Sequence, residues 1–170
     1  MNATDLERFA LRYVERYATT RGRLSDYLKR KIRERGWSGE GTPDTIGLAQ
    51  RMSDLGYVDD RLFAESKASA MGRRGLGARR IDEALRQAGI DEGDASAVAP
   101  AVRANAAASA IAFARRKRIG PYAREAVERA GQEKHLAAML RAGHALDLSR
   151  RIVRMAPGED VEALIVPEWD

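Results

Sequence analysis

The feature that most constrains this chain is a phrase that returns three times. A helical segment ends in a glycine, a bulky residue follows and a new helical segment begins, at Arg35-Gly36-Trp37, Ala88-Gly89-Ile90 and Ala142-Gly143-His144. The glycines are 53 and then 54 residues apart. A fixed period of that length means one small helical unit used repeatedly, so function is sought on a repeated surface before a single pocket. A unit of about 50 residues buries too little apolar surface to stand alone, and the units must lean on each other.

Within the period, apolar spacing reads helix almost throughout. Leu6, Phe9, Ala10, Tyr13, Val14 and Tyr17 form one stripe on a first helix from about Thr4 to Ala18, with Thr4 as N-cap and Glu7 three residues on. A second helix turns Leu24, Tyr27, Leu28 and Ile32 inward, and Gly36 ends it in a left-handed turn. A third, from about Asp44, offers Ile46, Ala49, Met52 and Leu55. Asp59 or Asp60 caps a fourth with Leu62, Phe63, Ala64 and Met71, broken by Gly72, Gly75 and Gly77; a fifth carries Ile81 and Leu85 to Gly89. The sixth spans Asp91 to Val102, where Pro100 either kinks it or starts the next. An alanine-rich helix from about Arg103 to Arg118 ends at Gly120-Pro121. From Gly77 to Gly89 is 12 positions but from Gly120 to Gly143 is 23, so Tyr122 to about Lys134 reads as an insertion. Leu136, Met139 and Leu140, then Leu148 and Ile152, close the pattern, and Leu164-Ile165-Val166 is a β-like scrap with nothing to pair with. The expected fold is all-α, with tandem three-helix repeats, about nine helices in all, in an elongated, curved arrangement. Its repeats span residues 1–56, 57–102 and 103–156, and an acidic tail at 157–170 is expected to be disordered.

Charge says what such a scaffold is for. The net charge of +5 hides five acidic residues and no Lys or Arg after Pro157, which leaves 30 basic against 20 acidic residues before it. A body near +10 prefers polyanions or acidic protein surfaces. Its cations cluster once per unit: Lys29, Arg30 and Lys31 with Arg33 and Arg35; Arg73, Arg74, Arg79 and Arg80 around a glycine-rich turn; and Arg115, Arg116, Lys117 and Arg118. Arginines around a turn at a helix N-terminus suit an extended anion such as a nucleic-acid backbone, or a carboxylate-rich protein face. The plainer alternative is that arginine-rich faces only keep a helical protein in solution.

Catalytic chemistry is poorly supported. Cysteine is absent, and His135 and His144 lie nine apart without metal-ligand spacing, so no catalytic residue, metal or cofactor is expected. His144 occupies the repeat position of Trp37 and Ile90, which makes it a packing residue. The turn at Gly75-Leu76-Gly77 lacks the Gly-Lys-Ser/Thr ending of a phosphate loop. Asn2 and Asn105 are the only asparagines, which argues against a recognition helix that reads bases with amides. No run approaches the roughly 18 apolar residues of a membrane span, and the expected location is the cytoplasm.

At Leu55-Gly56-Tyr57-Val58-Asp59-Asp60-Arg61-Leu62-Phe63-Ala64 the chain resembles the RecX family of bacterial recombination regulators, whose central signature is Gly-Tyr-aliphatic-Asp-Asp leading to Phe-Ala. The likeness continues through Arg74-Gly75-Leu76-Gly77, Ile81, Leu85 and Gly89-Ile90, and covers about residues 6 to 155 in helix order. Ala78 stands where the family often has Pro, and the acidic tail has no place in the pattern. The resemblance implies a non-enzymatic modulator of the RecA recombinase, and a monomer is expected. Such a protein lies in the groove of the filament on single-stranded DNA and depresses ATPase, strand exchange and repressor cleavage. The contacts expected first are Arg73, Arg74, Arg79, Arg80 and the cluster Arg115, Arg116, Lys117 and Arg118, with Arg30 on the first unit. The alternative is a general basic helical protein that binds nucleic acid with steep salt dependence. The tail, ending in Glu168-Trp169-Asp170, could fold back on a basic patch or be plain disorder.

Overall fold

A computed structural model describes residues 1–165; the readings that fall on Val166, Glu168, Trp169 and Asp170 lie outside the described residues. Among the described residues ten α-helices follow one another: α1 (Ala3–Arg16), α2 (Arg21–Arg35), α3 (Thr45–Asp54), α4 (Asp60–Arg73), α5 (Ala78–Gln87), α6 (Glu92–Ala104), α7 (Ala106–Lys117), α8 (Arg129–Arg141), α9 (Leu146–Arg154) and α10 (Glu162–Ile165). A 3-10 turn at Gly120–Tyr122 separates α7 from α8, and no strand occurs among the described residues. Leu164 and Ile165 of the β-like scrap are helical.

The helices gather into two compact units. The first comprises residues 1–66 and 85–95, the second residues 67–84 and those from 96 onward, so α4, α5 and α6 each give residues to both. In the first unit the apolar stripes of α1, α2 and α3 meet. Leu6 and Ala10, Leu24 and Leu28, and Leu48, Ala49 and Met52 form its core with Val58. Full burial of the leucine, methionine and valine side chains stabilises by about 1.5–3 kcal/mol each, which is what holds amphipathic helices of 10 to 15 residues in place. The second core has smaller residues on α7, Ala110 and Ala114 beside Phe113, packed with Ile119, Met139, Ala142, Ile152 and Val153.

The structure corrects the cap of α1 and adds detail at three other places. Asn2, not Thr4, caps α1: its Oδ1 accepts from the Asp5 backbone N–H at 3.0 Å, and its own N–H donates to the Asp5 carboxylate at 3.2 Å. Asn2 is extended (φ −109°) and places an acceptor one half-turn earlier, so Thr4 falls inside the helix. Pro100 does not begin a helix; α6 runs on to Ala104, and α7 starts after Asn105. Proline removes one backbone donor and crowds the carbonyl four residues before it, yet the helix continues through it. The stretch from Tyr122 to about Lys134, read as an insertion, is a loop over 123–128 and helix from Arg129, where α8 begins. Where a disordered tail was expected, the Gly158 N–H donates to the Pro121 carbonyl at 2.8 Å, and Leu164 of α10 packs against the second core.

The three recurring glycines all have positive φ: 73° at Gly36, 72° at Gly89 and 94° at Gly143. Their surroundings differ. Around Gly36 a Cβ would meet open space, whereas at Gly89 it would lie 2.9 Å from Cα of Gly22, and at Gly143 it would lie 2.6 Å from the backbone N of Arg80. Gly89 therefore seats on the start of α2, where Thr20 Oγ1 also donates to the Ala88 carbonyl. Gly143 seats in the same way on the start of α5, where the Gly77 N–H donates to the Ala142 carbonyl at 2.8 Å and the Arg79 N–H to the Gly143 carbonyl at 3.2 Å. The receiving glycines, Gly22 and Gly77, carry no signal in the apolar pattern; only the absence of a Cβ permits the approach.

Candidate protein and nucleic-acid interface

The second unit brings two of the expected basic clusters together. Helix α4 ends at Arg73, and the turn that follows puts Gly75 against the backbone of α7; a Cβ there would stand 2.8 Å from the Phe113 nitrogen. His144, 6% exposed, locks the turn from the other side: Nε2 donates to the Gly75 carbonyl at 3.0 Å, and the ring rests on Phe113 with centroids 5.7 Å apart. Burial pushes the imidazole pKa down, and the bond to Gly75 only partly offsets this, so the ring is held neutral. His144 is thus a packing residue with one specific hydrogen bond. From α7, Arg116 Nη1 reaches the Arg74 carbonyl at 2.5 Å and joins the cluster Arg115 to Arg118 to the turn at Arg73 and Arg74.

The other side chains of the set are held in related ways. Arg79 Nη2 donates to the Leu140 carbonyl and Arg73 Nη1 to Ser69 Oγ, both at 2.5 Å. Arg115 lies over the Tyr122 ring, 5.2 Å from its centroid, and Arg116 lies 5.6 Å from that of Phe113. Arg115, Arg116 and Lys117 occupy the last turn of α7, where the helix dipole favours cations. Only Arg80 of this set is paired with an acid among the described residues, Glu83 at 2.8 Å. Arg74, Lys117 and Arg118 are exposed and have no ion-pair partner among the described residues. A carbonyl or hydroxyl orients a guanidinium without cancelling its charge, so this surface keeps its positive potential.

Arg30 belongs to the first unit and is placed differently. It lies 5.5 Å from the centroid of Tyr27 and 3.8 Å from Glu34, while Lys31 pairs with the same Glu34 at 2.7 Å and Lys29 with Asp26 at 3.4 Å.

Sequence reasoning missed the polar hub of the first unit. Arg21 gives its backbone N–H to Asp60 Oδ1 at 2.9 Å and Nε to Oδ2 at 3.0 Å; Nη2 reaches Asp91 at 2.7 Å and Asp94 at 3.4 Å, and Nη1 reaches Gln50 at 2.9 Å. The hydrogen bond to Asp60 is the main cause that raises the Arg21 pKa. Asp91 is held low, chiefly by the Asp94 backbone N–H, and burial pushes Asp94 up. Of the two carboxylates offered as caps for α4, Asp59 takes that role, accepting from the Leu62 N–H at 2.8 Å, and Asp60 is buried in the hub. Among the described residues no three His, Asp or Glu side chains gather as a metal group, and no single helix is long and apolar enough to cross a membrane.

Helical units that carry unpaired arginine on their surface make a class of protein suited to binding anionic partners. The model of the second three-helix domain of RecX matches residues 59–98. The chain is 30% identical over 165 residues to the regulatory protein RecX of Myxococcus xanthus, covering 92% of this chain and 88% of the relative. It is 31% identical over 158 residues to that of Thermobifida fusca, covering 90% and 77%. In fold it is similar to the crystal structure of RecX from Lactobacillus salivarius, with a TM-score of 0.63 at 22% identity over 89% of this chain and 94% of that one. The chain belongs to the RecX family of regulatory proteins.

Proposed function

We propose that this protein is a non-enzymatic regulator that binds the RecA filament on single-stranded DNA and inhibits its ATPase, strand-exchange and coprotease activities, acting as a monomer in the cytoplasm. The observation that carries this reading is the union of Arg73, Arg74, Arg79 and Arg80 with Arg115, Arg116, Lys117 and Arg118 on one unit, through the bond from Arg116 to the Arg74 carbonyl, with most of their charge left unpaired. An acidic protein groove with a phosphate backbone inside it is the partner such a surface fits. Membership in a family of regulatory proteins supports the same reading.

The test is filament ATPase turnover titrated with the full chain at moderate salt. Turnover falls as the protein is added, and Lys117→Ala with Arg118→Ala raises the concentration needed by about tenfold, as expected for loss of charge complementarity. Unchanged turnover at several-fold molar excess overturns the proposal. Binding to the recombinase without DNA separates it from general nucleic-acid binding.

A further inference from the structure

The first unit carries an aromatic feature that the arginine surface does not use. Tyr13 on α1 stacks on Tyr27 of α2, with centroids 4.1 Å apart and rings 20° from parallel. Tyr17, just past the end of α1, leans on Tyr13 at 5.2 Å and is 49% exposed. Beside the stacked pair a groove of about 490 Å³ is lined by Tyr13 and Tyr27, with Arg23, Arg30 and Arg33 along it and Asp26 as its one acid, already paired with Lys29. Arg33 is exposed and has no ion-pair partner among the described residues; Arg16 stands 5.5 Å from the Tyr17 ring. Rings fixed by one another and rimmed by guanidinium groups offer two things at once: a flat apolar face and positive charge at its edge.

We infer that this surface binds single-stranded nucleic acid, with a base stacked on Tyr17, which adjoins the groove through Tyr13 without lining it, and the backbone phosphates on Arg30 and Arg33 along the groove. Open ring faces serve unstacked bases, which a single strand supplies and a duplex hides. An acidic peptide would use the cations and leave the rings idle. This site lies in the other unit from Arg73 to Arg80 and Arg115 to Arg118, and it needs no recombinase.

The experiment measures binding of the full chain to a fluorescent oligothymidylate of about 15 nucleotides and to an abasic strand of the same length, with no recombinase present. Tyr17→Ala weakens oligothymidylate binding about fivefold or more, Tyr17→Phe stays close to the wild type, and the abasic strand binds more weakly and is indifferent to both changes. Arg33→Ala weakens both strands and lowers the slope of log affinity against log salt by about 0.7. Tyr17 is half exposed and outside the core, so thermal unfolding of the variants should match the wild type. The inference is overturned if Tyr17→Ala binds oligothymidylate as tightly as the wild type, if the abasic strand binds as well as the thymidylate, if polyglutamate of equal charge displaces the strand as readily as unlabelled thymidylate, or if no binding is detected. Because the recombinase is absent, none of these results depends on the outcome of the filament assay.

Discussion

Most cations named in the two units are held differently, although Arg80 and Arg129 of the second also pair with Glu83 and Glu133, and Arg33 of the first pairs with no acid among the described residues. In the first, Arg8, Lys29, Arg30 and Lys31 each find a carboxylate one helical turn away, and Arg21 is shared among three acids. In the second, Arg73, Arg79, Arg115 and Arg116 are directed by a hydroxyl or a backbone carbonyl, which fix position and cancel nothing. Equal numbers of arginines would thus make unequal fields. Composition measures how many cations a chain owns, and structure decides how many remain available to a partner.

The largest expected effect tests how the second unit is closed. Gly143→Ala adds a Cβ against the Arg80 backbone at positive φ and should cost about 3 kcal/mol or more in chemical denaturation. Gly36→Ala, strained but sterically free, should cost about 1–3 kcal/mol. Equal losses would mean that the seat of Gly143 on α5 matters little. Next, Arg21→Met leaves Asp60 buried without its partner and should destabilise by about 2–3 kcal/mol. Hydrogen exchange should show protection lost first in the first unit, and a uniform loss would erase the contrast between the two.

A third comparison concerns charge itself. Lys117→Ala with Arg118→Ala should lower the salt slope of anion binding by about 1.5 for a single strand, while Arg30→Ala, whose charge is shared with Glu34, should lower it by less than about 0.7. Equal slopes per charge removed would show that the ion pairs of the first unit do not matter. The smallest effect is that of His144. Its pKa is lowered on folding, so the unfolded chain takes up the proton first; the stability contributed by the neutral ring is complete above about 6.5 and is lost as pH falls below it toward the folded pKa. Thermal unfolding compared with His144→Gln should therefore show a wild-type decline with acid that the variant lacks. Identical pH profiles would mean that the His144 ring contributes nothing to the acid response.

Much of this fold was legible in the sequence. The helices, most of their inward faces and the glycine joints follow from spacing, because helix periodicity is a local signal, although Ile46, Leu55 and Leu62 of the apolar pattern face solvent. The error at Thr4 is local as well, since it turns on which of two neighbouring side chains, Asn2 or Thr4, takes one backbone partner. What could not be read was tertiary. Arg21 and Asp60 are 39 residues apart, and nothing in either neighbourhood announces the other. Gly22 and Gly77 look like any small residue until Gly89 and Gly143 arrive on them. The basic clusters were found by their runs in the sequence, but their juxtaposition is tertiary, made by the seat of Gly75 on α7 and the bond from Arg116 across 42 residues, and Tyr17 was read as part of an inward stripe although half of it faces solvent.

The tethered guanidinium groups have a kinetic consequence. An arginine free in water must give up rotamer freedom when it grips an anion, at roughly 0.5–1.5 kcal/mol for each side chain immobilised. Arg73, Arg79 and Arg116 have surrendered part of that freedom to Ser69, Leu140 and Arg74 before any partner arrives. Prepayment of this kind leaves the speed of encounter to the net field and shows itself in the lifetime of the complex, so loosening one tether should shorten residence while arrival stays as fast.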